Sequence, residues 1–90
     1  MQVQHKEGEF FIEVNGKKAL LDYTISGKKM DIFHTFTDPE FRGQGLAEQL
    51  CTAAFEHAKN NGLKIIPTCP YVKDTFLRKH PEWNAMVEHW

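Results

Sequence analysis

The chain has 90 residues, 41% of them hydrophobic and 26% charged, with a formal net charge of −1. That describes one domain spanning residues 1–90, near the lower end of sizes that fold unaided, and the near-neutral balance excludes the basic face of a general nucleic-acid binder. No apolar run reaches membrane-spanning length, Met1 to Glu7 lack a signal peptide's apolar core, and Cys51 and Cys69 form neither a metal-binding pair nor a disulfide framework.

A short strand near Gln2 to His5 opens the reading. Glu9 to Val14 alternates loosely and ends at Asn15-Gly16, a dipeptide suited to a tight hairpin because both residues tolerate positive φ. Lys18 to Ile25 follows, with Ala19, Leu21, Tyr23 and Ile25 on one face and Leu20, Asp22 and Thr24 on the other. After the turn Ser26-Gly27-Lys28, Met30 to Thr37 makes a third strand, completing an antiparallel meander. Strict alternation gives His34 the parity of Met30, Ile32 and Phe36.

From Gly45 or Leu46 the period changes. Leu46, Ala47, Leu50, Cys51, Ala54, Phe55 and Ala58 recur at helical spacing, with Glu48, Gln49, Thr52, Glu56 and Lys59 opposite. Gly62, after Asn60-Asn61, suits the left-handed cap. Leu63 to Thr68 is a short apolar strand, placed parallel to Met30–Thr37 by a right-handed crossover. A second helix is predicted over Tyr71 to Lys79 and stops at Pro81. The tail Glu82 to Trp90 reads as irregular, docked by Trp83, Met86 and Val87.

The junction Phe41-Arg42-Gly43-Gln44-Gly45-Leu46-Ala47 carries the most information. Gly43 and Gly45 have no Cβ, so the turn can be tight and a ligand can approach the backbone. The helix start offers unpaired N–H groups and the positive end of its dipole, an anion site suited to a pyrophosphate. A loop that merely joins strand to helix is the plainer alternative. Arg-x-x-Gly-x-Ala with an extra glycine resembles the coenzyme A signature of the GNAT N-acetyltransferase superfamily. The resemblance spans roughly residues 9 to 87. His34-Thr35, Asp38-Pro39-Glu40-Phe41, Pro67-Thr68-Cys69-Pro70-Tyr71 and Lys79-His80-Pro81-Glu82-Trp83 look like the small single-domain members.

This resemblance implies an α/β (α+β) fold, a meander followed by a β-α-β crossover and a final helix. It also implies acetyl-CoA as acyl donor and a primary amine as acceptor, with a monomer or weak homodimer expected; the two scattered cysteines themselves point to no metal and to a reduced cytoplasm, with nuclear or mitochondrial residence in a eukaryote as the alternative. Backbone amides of Gly43, Gln44, Gly45, Leu46 and Ala47 would hold the pyrophosphate, with Arg42 as charge partner. The pantetheine would run along Phe36 and Thr37 as an added strand.

Amide formation requires a base, a donor to the thioester oxygen and a proton for the leaving thiolate. His34 is the candidate base, with a packed structural histidine as alternative. Cys69, ending the second parallel strand, is a nucleophile, a proton donor or a buried filler. Cys51 reads as core, and His5, His57, His80 and His89 as structural or solvated. Larger members carry a tyrosine within the last helix, where Phe76-Leu77-Arg78-Lys79 has none; Tyr71 lies earlier. They also insert helices where Asn15-Gly16 leaves no room. A CoA-binding module without efficient transfer is therefore the rival function.

Overall fold

The structure, a computed structural model, describes residues 2–88. The readings for His89 and Trp90 lie outside the described residues. Five strands, β1 (Gln4–Lys6), β2 (Glu9–Val14), β3 (Lys17–Ser26), β4 (Lys29–Thr37) and β5 (Lys64–Pro67), form one sheet in the order 1-2-3-4-5. The first four pair antiparallel, and β5 pairs parallel to β4. The crossover between them carries the 3-10 turn Pro39–Phe41 and helix α1 (Leu46–Asn60). Asn15 (φ 53°) and Gly16 (φ 77°) turn the β2–β3 hairpin in the conformation their identities favour.

One face of the sheet is covered. Phe10, Ile12, Ala19, Leu21, Tyr23, Met30 and Ile32 are buried there against Leu46, Leu50, Cys51, Ala54, Phe55 and Ala58 of α1. The i, i+4 and i+7 spacing of the helical residues puts them on one stripe, which is why α1 docks lengthwise. Its end is closed by Asn61, whose side-chain amide donates to the His57 carbonyl (2.7 Å), and by Gly62 at φ 68°. The chain then returns through Leu63, whose N–H donates to the Ala58 carbonyl (2.8 Å).

Tyr71–Phe76 is wound as a π-helix, not the α-helix expected, and runs directly into α2 (Leu77–Lys79). Val72, Phe76 and Leu77 face the core. The tail is more regular than expected: Pro81–Met86 is a 3-10 helix, and Val87 bridges Ile65. Trp83 packs on Phe55 with ring centroids 5.5 Å apart.

Two strand assignments change. Ile25, expected on the core face, is 48% exposed. The β2 ladder begins at Glu9, opposite Asp22, so Ile25 has no β2 neighbour to pack beside. The larger correction concerns β4. Asp22 pairs with His34 but Tyr23 pairs with Ile32, so Phe33 is an extra residue in the ladder. This bulge reverses the parity beyond it. His34 lies on the face opposite Met30 and Ile32, together with Asp22, while Thr35 and Thr37 join the covered face.

Besides its ladder with β2, the edge strand β1 is tied to the covered face by one aromatic side chain. His5 stacks on Phe10 (centroids 4.0 Å, interplanar angle 4°), contacts the Tyr23 hydroxyl and meets His57 edge-on at 4.8 Å. Desolvation and the neighbouring His57 lower the His5 pKa below its ordinary 6.5. Above pH 6.5 the ring is neutral both folded and unfolded; below it the unfolded chain takes up the proton first, so stability falls with pH. The midpoint of thermal unfolding should therefore drop between pH 7 and pH 5, and His5→Gln should reduce that drop by about 1–3 °C. Calorimetry at the two pH values checks this; equal drops in both proteins would contradict it.

Candidate functional site

The site begins where the β4–β5 ladder ends. That ladder runs from Lys29↔Lys64 to Ile32↔Pro67, and the Cys69 N–H donates to the Ile32 carbonyl at 2.9 Å. Beyond this point β4 carries the extra residue Phe33 and β5 has ended, so the two no longer pair. Among the described residues the β5-facing edge of β4 from His34 to Thr37 has no strand partner. An unpaired edge of this kind offers backbone donors and acceptors to an extended ligand.

The chain then passes through Asp38, which caps the 3-10 turn by accepting from the Glu40 N–H (3.0 Å), and reaches the two glycines. Gly43 has φ 84° and Gly45 φ 72°, left-handed conformations that a side chain would strain. A Cβ at either position would meet nothing within 4 Å, so both face open space. Gly45 is the N-cap of α1 and supplies no side-chain acceptor; its carbonyl takes the Gln49 N–H at 3.1 Å. The amides of Leu46, Ala47 and Glu48 therefore lack intrahelical acceptors and carry the positive end of the helix dipole.

These features converge on a cavity of about 420 Å³. Thr35, Phe36 and Thr37 of β4 form one wall, and Phe41, Arg42, Gly43, Gly45, Leu46 and Ala47 form the floor at the helix start. Tyr71, Glu48 and Lys79 close the far side. All the residues named for the cofactor line this cavity except Gln44, whose side-chain amide instead donates to the Glu40 carbonyl at 3.4 Å. The composition fits coenzyme A. An amide-lined helix start with Arg42 suits a diphosphate, and a bare strand edge suits a pantetheine amide chain.

Cys69 is 5% exposed, and its Sγ lies 3.4 Å from Thr35 Oγ1 at the point where the strands part. His34 is exposed and projects on the opposite face of the sheet. The gap between β4 and β5 is thus flanked by Cys69 and Thr35 on the helix side and by His34 on the bare side. Tyr71 is half-buried, and its phenol is pushed up to about 12 by burial first, then by Cys51 and Glu48 nearby. At neutral pH it stays a hydrogen-bond donor. Burial likewise raises the Cys51 thiol, which stays protonated inside the core.

Glu48 and Thr35 line the cavity without having been singled out as site residues from sequence; Lys79, read from sequence as a solvated cation or as an approach to the adenosine 3′-phosphate, lines it too. Glu48 Oε1 lies 3.8 Å from Lys79 Nζ, and its Oε2 lies 3.4 Å from His80 Nε2. That nitrogen is enclosed and lacks a well-aligned hydrogen bond. The helical pattern put Glu48 on a solvated face, but its first-turn position turns it towards the cavity mouth. Thr35 was hidden by the same alternation that misassigned His34.

Comparison with known proteins agrees with this geometry. A family model described as GCN5-related N-acetyl-transferase matches residues 9–86. Protein NATD1 of Danio rerio is 33% identical over 96 residues, covering 99% of this chain and 86% of its own. Protein NATD1 of Xenopus tropicalis is 34% identical over 86 residues, covering 90% of this chain and 78% of its own. The NMR solution structure of a GCN5-like protein from Staphylococcus aureus superposes with a TM-score of 0.78 at 29% identity, covering 99% of this chain and 89% of that one. The match of fold and sequence extends over nearly the whole length, and the chain belongs to the GCN5-related N-acetyltransferase family.

Proposed function

We propose that this chain works as one domain that binds acetyl-CoA and catalyses acetyl transfer to a primary amine by direct attack. The observation that carries the reading is the cavity joining a glycine-capped helix start to the unpaired edge of β4. Coenzyme A supplies an acetyl thioester, an activated acyl carbon. The amides of Gly43, Gly45, Leu46 and Ala47 grip the diphosphate, Arg42 adds charge, and the backbone of Phe36 and Thr37 aligns the pantetheine so that the acyl group reaches the β4–β5 gap. Gln44 contributes its backbone to the same turn.

A main-chain N–H near Phe36 or Thr37 stabilises the thioester oxygen as charge develops. His34 takes the proton of the incoming ammonium on the bare side of the gap. The amine nitrogen then bonds to the acyl carbon and the carbon–sulfur bond breaks. Two protons leave the nitrogen in all: one passes through His34 to solvent, and one ends on the departing sulfur. Tyr71 and Thr35, both hydrogen-bond donors, support that sulfur. Cys69 shapes this corner beside Thr35 without forming a covalent intermediate. Donor and acceptor thus meet from opposite faces of the sheet, which leaves the acceptor side open to a small amine or a polypeptide. The same openness favours the rival reading, a CoA-binding module with little transfer.

Three measurements decide among these readings. Gly45→Glu puts bulk and negative charge in the phosphate cradle, and calorimetric CoA affinity should fall by at least about 100-fold, since like charges in a site cost several kcal/mol. Unchanged affinity in the folded variant would refute the cradle. His34→Gln should keep CoA affinity and lower turnover about 10²–10⁴-fold, with release of free thiol followed over a panel of amines, peptides and polyamines. Tight CoA binding with no turnover above hydrolysis for any acceptor favours the module. Cys69→Ala should retain transfer within about tenfold, and intact mass of the wild type after acetyl-CoA should show no added acetyl; a single acetyl lost in Cys69→Ala would establish an acyl-cysteine route.

A further inference from the structure

The bare face of the sheet carries a row of ionisable side chains that ends at His34 and whose two carboxylates the reading above does not use. Glu9 on β2 pairs with Asp22 on β3, and Asp22 pairs with His34 on β4. Directly opposed side chains in such a ladder have Cβ atoms about 4.5–5.5 Å apart, within reach of one another. The row exists only because Phe33 is an extra residue; without the bulge His34 would point into the core. Glu9 is fixed at the far end. Its Oε1 accepts from Lys18 Nζ at 2.9 Å and pairs with Lys6 Nζ at 3.4 Å, and the Glu9 side chain is only 12% exposed. Phe11 lies beneath both ammonium groups, 4.8 Å from Lys18 and 5.4 Å from Lys6. The outer end of the row is therefore held by two cations over an aromatic ring, and the inner end faces the gap between β4 and β5.

We propose that Asp22 is a positioning residue for His34. Its carboxylate, oriented by the anchored Glu9, pairs with the imidazolium that forms when His34 accepts a proton, and so fixes the ring at the edge of the gap. This rests on the reading of His34 as base. The charged groups facing Asp22 are Glu9 from β2, Lys18 along its own strand and His34 from β4; Lys6 of β1 reaches the row through Glu9. Asp31, further along β4, is engaged separately by the Thr68 hydroxyl.

The acid–base behaviour of the row accords with this placement. Burial first, then a hydrogen bond to Glu9 and its negative charge, raise the Asp22 carboxyl to about 6, while His34 and Lys18 pull it down. Partial burial pushes Glu9 up, but hydrogen bonds from Asp22 and Lys18 outweigh it and hold Glu9 below its usual range. Below pH 6 Asp22 therefore carries the proton it shares with Glu9. Above pH 6 it is an anion opposite His34, the state in which it can hold a charged ring.

Carboxyl carbon NMR titration reads the pairing without any turnover. The Asp22 midpoint should lie near 6 in the wild type. It should rise in His34→Gln, which removes the cation, and fall in Glu9→Gln, which removes the neighbouring anion. In transfer assays, Asp22→Asn should lower kcat about tenfold with little change in the KM for acetyl-CoA, and the acid limb of the pH–rate profile should move to lower pH. Asp22→Glu should restore part of kcat. An Asp22 midpoint that stays put in His34→Gln overturns the pairing, whether or not the protein transfers acetyl groups. A midpoint that moves in a protein that transfers nothing supports the pairing and refutes the transferase reading instead.

Discussion

The layout of this molecule depends on one surplus residue in β4. Up to Ile32 the strand is locked between β3 and β5. The bulge at Phe33 keeps the pairing with β3 through Thr37 but ends the pairing with β5. Two results follow from that single backbone irregularity. The strands part and leave a free edge, and the side-chain alternation inverts, so that Thr35 and Thr37 face α1 while His34 faces away. A regular strand would have buried an imidazole among Met30, Leu21 and Ile32. The sheet gives up a few ladder hydrogen bonds, each worth about 1 kcal/mol, and gains an opening beside the helix start.

The two faces of the sheet then diverge in character. The covered face is a continuous apolar layer from Phe10 across to Val72 and Phe76, extended at the β1 edge by His5. The other face carries Phe33 (46% exposed) and Phe36 (45% exposed) beside the Glu9, Asp22 and Lys18 side chains. The β2–β3 connection is a tight turn at Asn15-Gly16, so no helix between those strands covers this face. The helix-covered side of the sheet thus holds the cavity, and the other side is open.

Most of the architecture was legible because it rests on periodicity and turn chemistry. The Asn15-Gly16 hairpin, the α1 stripe, the Gly62 cap and the parallel return of β5 follow from residue identities alone. The glycine junction was legible for the same reason, since Gly43 and Gly45 both adopt the left-handed region. What escaped were departures from regular period. A bulge leaves no residue signature in Ile32-Phe33-His34-Thr35, so a strict two-residue alternation placed His34 wrongly and hid Thr35. The π-winding of Tyr71–Phe76 was likewise invisible. Ile25 was misplaced because burial depends on where β2 starts, which is a matter of neighbouring chain rather than local pattern.

Glu48 is an anion in the lining of the cavity at the start of α1, and it sits beside Lys79 and His80. On the proposed reading, a phosphate that reaches Lys79 exchanges places with the Glu48 carboxylate, 3.8 Å from the same ammonium group.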